Sequence, residues 1–212
     1  MSTRTQYDAD LAALKALLAK MGQLSADAVE DALESLCTVD AEGAKEIIKG
    51  DSEVNRMERD IEHRCMTLLL RQQPVASDLR FISAAGDHAA DIAEIVPHLA
   101  GVRKAGDPAV SKSIEMGRKA HKMLNDAMAA FAAEDEAAAK AVIEADDAVD
   151  YDFNSIKRML AAEIAADPGK TDAALDVLMV IKYLERIGDH AVNVAEWVEF
   201  LRTGRYHHEN MF

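Results

Sequence analysis

The stretch Val177–Leu201, VLMVIKYLERIGDHAVNVAEWVEFL, decides the fold class. Val177, Leu184, Ala191 and Val198 fall seven apart, and so do Val180, Ile187, Val194 and Leu201. Two such columns form the seam of a packed helix. A third column at Ile181, Gly188 and Ala195 gives it the breadth to meet two neighbours. Gly188 and Ala195 carry almost no side chain, so another helix can approach closely there. The pattern predicts one helix over about Thr171–Thr203.

Working outward, apolar residues recur at helical spacing almost throughout, and the 212 residues hold only 10 Gly and 4 Pro. The first helix is expected over about Tyr7–Thr38, with Leu11, Leu14, Leu18, Met21, Val29, Leu33 and Leu36 inward. A short helix over Ala41–Lys49 should follow, then a long one opened by Asp51 and ended before Pro74. The next should run from about Val75 toward Lys104, bent or ended by Pro97, with Gly106-Asp107-Pro108 as a loop. Ala109–Ala132 and Asp135–Ala166 complete the series, with a break at Asp167-Pro168-Gly169 before the final helix.

An internal repeat appears at an offset of 95 residues, which pairs Lys45, Ile48, Asp51, Val54 and Ile61 with Lys140, Ile143, Asp146, Val149 and Ile156. Met21-Gly22 pairs with Met116-Gly117, and Asn55 with Asp150. The expected architecture is all-α: six long helices in two tandem three-helix bundles, 1–106 and 107–212, related by a pseudo-twofold repeat.

The formal charge of −14, without any Lys/Arg run, argues against a nucleic-acid partner, because phosphate contacts need a basic face. Cys37 and Cys65 lack metal-ligand spacing and read as buried small hydrophobes. No secretory signal pattern opens the chain, and no apolar run is long enough to span a bilayer. The expectation is a cytoplasmic protein.

Asp146/Asp150, Glu185/Asp189 and, in part, Asp51/Asn55 stand four residues apart, so each pair shares one helix face. Like charges so placed cost a few tenths of a kcal/mol, roughly, and a cation between them removes the cost. Two such helices facing each other would offer four oxygen ligands, suited to magnesium, calcium, manganese or iron. These positions flank the apolar columns, so a metal held there would be partly exposed. The Glu-x-x-His partner of buried di-iron sites is absent. A solvated acidic face is the competing reading, and spacing leaves both open.

His88 and His190 read as ordinary exposed or half-buried imidazoles, and His207-His208 lies in a polar tail. No glycine-rich phosphate loop or nucleophile elbow is present. An enzyme is therefore not expected, and a carboxylate-metal hydrolase is the rival class.

LERIGDHAVNVAEWVEFL (Leu184–Leu201) resembles the signature of PhoU proteins, and DSEVNRMERDIEHRCMTLLLRQQPVASDLR (Asp51–Arg80) resembles that family's other well-known stretch. In order and separation both fit, and the resemblance covers essentially the whole chain. It implies a PhoU-like fold with acidic pairs that bind metal clusters at the surface of each bundle. In the second bundle these would be Asp146, Asp150, Glu185 and Asp189.

The first bundle departs from that pattern. Asn55 replaces the usual acid beside Asp51, and an ungapped comparison from Arg80 puts Ala93 and Pro97 where the family has Glu and Asp. Alternatively AGDHAADIAE (Ala85–Glu94) aligns with IGDHAVNVAE (Ile187–Glu196), which matches Asp87 to Asp189 and sets Ser83 opposite Glu185. Asp87/Asp91 is then a fresh acidic pair that could substitute.

The resemblance further implies a negative regulator of phosphate uptake and phosphate-starvation signalling. It would be an adaptor between the ATPase subunit of the phosphate ABC transporter and the sensor histidine kinase. It would be homodimeric, reach the membrane only through partner proteins, and hold iron, zinc, magnesium, manganese or calcium. A helical scaffold that has lost phosphate signalling is the remaining alternative.

Overall fold

The computed structural model describes residues 3–69, 78–104 and 106–203; the side chains of 3–8, 10–11, 41–43, 50–51, 62–69, 78–83 and 201–203 fall outside that description. Six helices follow in order: α1 (Thr3–Thr38), α2 (Ala41–Leu69), α3 (Asp78–Leu99), α4 (Pro108–Ala133), α5 (Glu136–Ala166) and α6 (Thr171–Thr203). A 3-10 turn at Pro168–Lys170 precedes α6.

The expected break between Lys49 and Asp51 does not occur, because α2 runs through Gly50 without interruption. The reason is phase. Ile47, Val54 and Ile61 lie seven apart on the inward side, so the core holds one helical register across the glycine. An interior glycine costs only about 1 kcal/mol relative to alanine, less than that packing supplies. Pro97 sits inside α3, two residues before its last position, and the helix closes at Leu99, short of the expected Lys104. The proposed start at Val75 and the stop at Pro74 lie outside the described residues.

Local chemistry fixes the other boundaries. Asp107 caps α4, its Oδ1 accepting from the Ala109 N–H at 2.9 Å, with Pro108 in the first helical turn. Asp135 caps α5 in the same way, accepting from the N–H groups of Ala137 and Ala138.

Helices α1, α2 and α3 pack on one another, as do α4, α5 and α6. The two triplets meet through α1 against α4 and α3 against α6, which leaves α2 and α5 on the outer flanks. Reciprocal glycine contacts reveal the pseudo-twofold. A Cβ at Gly22 would strike Met128, and one at Gly117 would strike Leu33. Each pair maps onto the other at the offset of 95 residues (22 to 117, 33 to 128). All three α6 columns are buried as expected where described: Val177, Val180, Ile181, Leu184, Ile187, Ala191, Val194, Ala195 and Val198 are each at most 2% exposed. The buried residues of both triplets form one continuous cluster.

Cys37 departs from expectation: it is exposed near the end of α1, and the Cys65 side chain lies outside the described set. Neighbouring Leu36 and Ser35 take the inward positions at that turn instead. Among the described residues no helix is long and apolar enough to cross a membrane.

The connection between triplets is anchored by Arg103. Its guanidinium is buried and donates to both Glu163 oxygens at 2.9 Å and to Asp107 at 3.1 Å. Glu163→Ala should therefore destabilise the fold by about 3 kcal/mol. That is the low end for removing one partner of a buried pair, because Asp107 remains. Urea unfolding beside wild type measures it, and a midpoint unchanged within error would mean the pair contributes nothing.

Candidate functional site

On the outer side of the second triplet, α5 and α6 bring the sequence-predicted carboxylates together. Gly188 makes the approach possible: a Cβ there would lie 3.3 Å from Asp146 Oδ1 and 3.5 Å from Val149 Cγ1. Asp146 and Glu185 are half-buried, while Asp150 and Asp189 reach solvent.

Electrostatics show how closely the charges are grouped. Burial pushes the Asp146 carboxyl up to about 6, with Asp150, Asp189, Asp147 and Glu185 adding repulsion in that order. Asp189 is likewise raised, first by burial and then by Glu185; Lys182 and Arg186 pull the other way. Lys182 pairs with Glu185 and also lies 5.6 Å from the centre of the Phe153 ring on α5.

The four carboxylates are neighbours rather than a finished cage. Among the described residues no three carboxylate, imidazole or thiol groups converge as metal ligands. The physical reason is visible in the charges: like groups stay apart, and Glu185 is drawn to Lys182. The donor set still suits a hard cation, because all four side chains offer carboxylate oxygen. Glu185 would have to exchange its lysine for that cation.

The equivalent face of the first triplet differs. The structure favours the alignment that matches Gly86 with Gly188. A Cβ on Gly86 would lie 3.3 Å from Val54, and one on Gly188 would lie 3.5 Å from Val149. Those two valines are themselves repeat partners. The α3/α6 offset is thus 102 (86 to 188), seven more than in the other helices, so the register shifts at the connection before the third helix. Asp87 then corresponds to Asp189 and Ser83 to Glu185. Ala93, the ungapped alternative, is fully buried.

Asn55 and Asp87 are half-buried, and the Asp51 side chain lies outside the description. Asp91 is drawn to histidine instead of pairing with Asp87 in a clamp: its Oδ2 lies 3.1 Å from His88 Nδ1. This triplet has fewer acids where the second is rich.

His88 corrects the expectation of an exposed or half-buried ring: it is 9% exposed and stacks on His190, with ring centres 5.4 Å apart and planes at 9°. Tyr183 lies 5.3 Å away on α6. The two histidines are repeat partners at the offset of 102 (88 to 190), so the pseudo-twofold runs between their faces. Sequence held this signal in the doubled GDHA segments. The second of the two alignments pairs those segments, but spacing alone does not bring the two rings face to face.

Comparison with known proteins follows the same geometry. The family model described as PhoU domain matches twice, at residues 18–96 and 114–198. A phosphate-specific transport system accessory protein PhoU homolog of Zymomonas mobilis is 34% identical over 209 residues, covering 94% of this chain and 87% of that one. The crystal structure of PhoU from Pseudomonas aeruginosa superposes with a TM-score of 0.88 at 29% identity, covering 94% of this chain and all of that one. The phosphate transport system regulatory protein PhoU from Streptococcus pneumoniae gives 0.86 at 26% identity, with 94% and 98% covered.

Proposed function

The chain belongs to the PhoU family of accessory and regulatory proteins of phosphate transport, which are not enzymes, and from that premise we propose that it is a cytoplasmic adaptor. In this reading it joins the ATPase subunit of the phosphate ABC transporter to the sensor histidine kinase and restrains both when phosphate is plentiful. The observation that carries it is the doubled family match laid over two triplets of long helices. Long exposed helical faces on α2 and α5 leave surface for two partners at once. The same reading divides the chain into units 1–106 and 107–212, and pairs two copies as a homodimer.

Affinity capture from cells grown with and without phosphate tests it. Recovery of both the ATPase subunit and the kinase, altered by phosphate supply, is the expected result. Recovery of neither under either condition would end the adaptor reading.

Metal binding is the finer part of the proposal. Asp146, Asp150, Glu185 and Asp189 would hold a divalent or trivalent cation, which neutralises the crowded carboxylates between α5 and α6. The poorer first-triplet set of Asp51, Asn55, Asp87 and Asp91 would fill later or stay empty. Elemental analysis of wild type beside Glu185→Ala/Asp189→Ala should show most bound metal lost in the double variant. Equal content in both would remove this site.

A further inference from the structure

Away from those carboxylates, an open groove of about 830 Å³ runs between α1 and α2 of the first triplet. Leu24, Ala28, Ile47 and Val54 give it an apolar floor. Asp27, Asp31, Glu34, Asp40, Glu46 and Glu53 line it, and among the described residues no Lys or Arg does. The α2 acids have local cations: Lys49 pairs with Glu46, and Arg56 lies 3.8 Å from Glu53. On α1 the acids crowd one another. Burial, then Asp27, Glu34 and Glu30, raise the Asp31 carboxyl.

The second triplet shows that bundle packing does not require this. At the offset of 95, Leu24 and Asp27 become Lys119 and Lys122, while Glu34, Glu46 and Glu53 become Ala129, Ala141 and Ala148. Lys119 bridges from α4 to Asp152 on α5 at 2.6 Å, and Lys122 pairs with Asp126. One copy of the face is thus neutralised and cross-linked. The other keeps its acids and an apolar channel.

We infer that the α1/α2 groove docks a basic amphipathic helix of a partner protein, with its apolar stripe on Leu24, Ala28 and Ile47 and its Lys/Arg flanks on the carboxylates. Charge complementarity selects this occupant, since nucleic acid and anionic lipid would be repelled. An apolar floor between charged rims is the arrangement that reads a helix by one face. Lining residues Leu24 to Thr38 span about 21 Å at the helical rise of about 1.5 Å per residue, enough for roughly four turns of partner helix. The inference does not depend on metal at the α5/α6 carboxylates, so either can fail alone.

Fluorescence anisotropy with the full chain tests it. The probe is a labelled 16-residue peptide with leucines at helical i, i+3, i+4, i+7 spacing and lysines elsewhere. Its controls are a scrambled peptide of the same composition and one with glutamate in place of lysine. Wild type should bind the amphipathic peptide at least tenfold more tightly than either control.

Asp31→Lys/Glu34→Lys should weaken that binding at least tenfold. Glu144→Lys/Asp147→Lys, the same charge change on α5 of the opposite flank, should leave it nearly intact. Ala28→Phe should also weaken it with no change of charge, with circular dichroism confirming helicity in each variant. Equal binding of the scrambled peptide, equal loss in both lysine variants, or no binding at all would overturn the inference. So would a changed sedimentation coefficient in Asp31→Lys/Glu34→Lys without peptide, since the groove would then be occupied by a second copy of the chain.

Discussion

Truncating Leu184 to alanine should lower the stability of the whole chain by about 2–5 kcal/mol, the range for a buried leucine whose cavity only partly collapses. Leu184 is fully buried on α6, and its Cδ2 would lie 3.2 Å from a Cβ at Gly117 on α4. That same notional Cβ would strike Leu33 of α1, so Leu184 sits where α6, α4 and α1 meet. Backbone cannot easily close such a hole, because three long helices with close glycine contacts define it. The loss should therefore fall toward the upper half of the range.

Ile48→Ala is the matched control. Ile48 is an aliphatic side chain on α2 that is 36% exposed, and its change should stay near about 0.5 kcal/mol. Urea unfolding with a common m-value measures both. A Leu184→Ala cost no larger than that of Ile48→Ala would mean that the two triplets do not share a continuous core. One transition followed by both near- and far-ultraviolet circular dichroism is expected, because the buried cluster crosses the triplet boundary without a gap.

The seam on α6 was readable in sequence because seven-residue columns survive any choice of neighbours. Its ten described positions are all buried. Gly50 misled because a glycine before an aspartate looks like a helix boundary, whereas the register of Ile47, Val54 and Ile61 already ran across it. Cys37 misled for a related reason: hydrophobicity placed it inward, but Ser35 and Leu36 occupy the buried arc.

The acidic pairs were legible as pairs, since helix geometry fixes i and i+4. That they would gather without closing into a cage was not, because the approach of α5 to α6 is set by tertiary packing and pair spacing does not show that the i,i+3 neighbour Lys182 takes Glu185. The α1/α2 groove was hidden for the same reason. Asp27, Asp31 and Glu34 look like an ordinary solvated stripe until α2 supplies the second wall. The paired histidines needed the register change from 95 to 102, which only the packing around Gly86 and Gly188 makes plain.

Asp146→Asn should make the chain more stable at pH 7.5 and steepen its loss of stability between about pH 6.5 and 4, with cations removed by EDTA. Two groups with opposite signs produce this. Burial holds the His190 imidazole at about 4, below its ordinary 6.5, and His88 and Arg186 push the same way. As pH falls below about 6.5 the unfolded chain takes a proton that folded His190 refuses, so stability drops until about pH 4, by roughly 2–3 kcal/mol at most.

Asp146 behaves in the reverse sense. Its carboxyl is raised from 3.8 to about 6, so the folded chain takes that proton first as pH falls through 6. Its charge costs stability at neutral pH and the cost is relieved toward pH 4, by roughly 1–2 kcal/mol after discounting for solvent screening. In wild type the two slopes partly cancel. Asparagine removes the Asp146 slope and leaves that of His190 opposed only by the raised carboxyls of Asp189 and Asp31, which both proteins share. Carboxylates held low, such as Glu163 on Arg103, contribute equally to both proteins and drop out of the difference. Stability measured by urea at half-unit steps from pH 4 to 8 should give curves that diverge upward with pH. Parallel curves would show that Asp146 is not held in its crowded, partly desolvated position between α5 and α6. The carboxylate grouping on which the metal reading stands would then go with it.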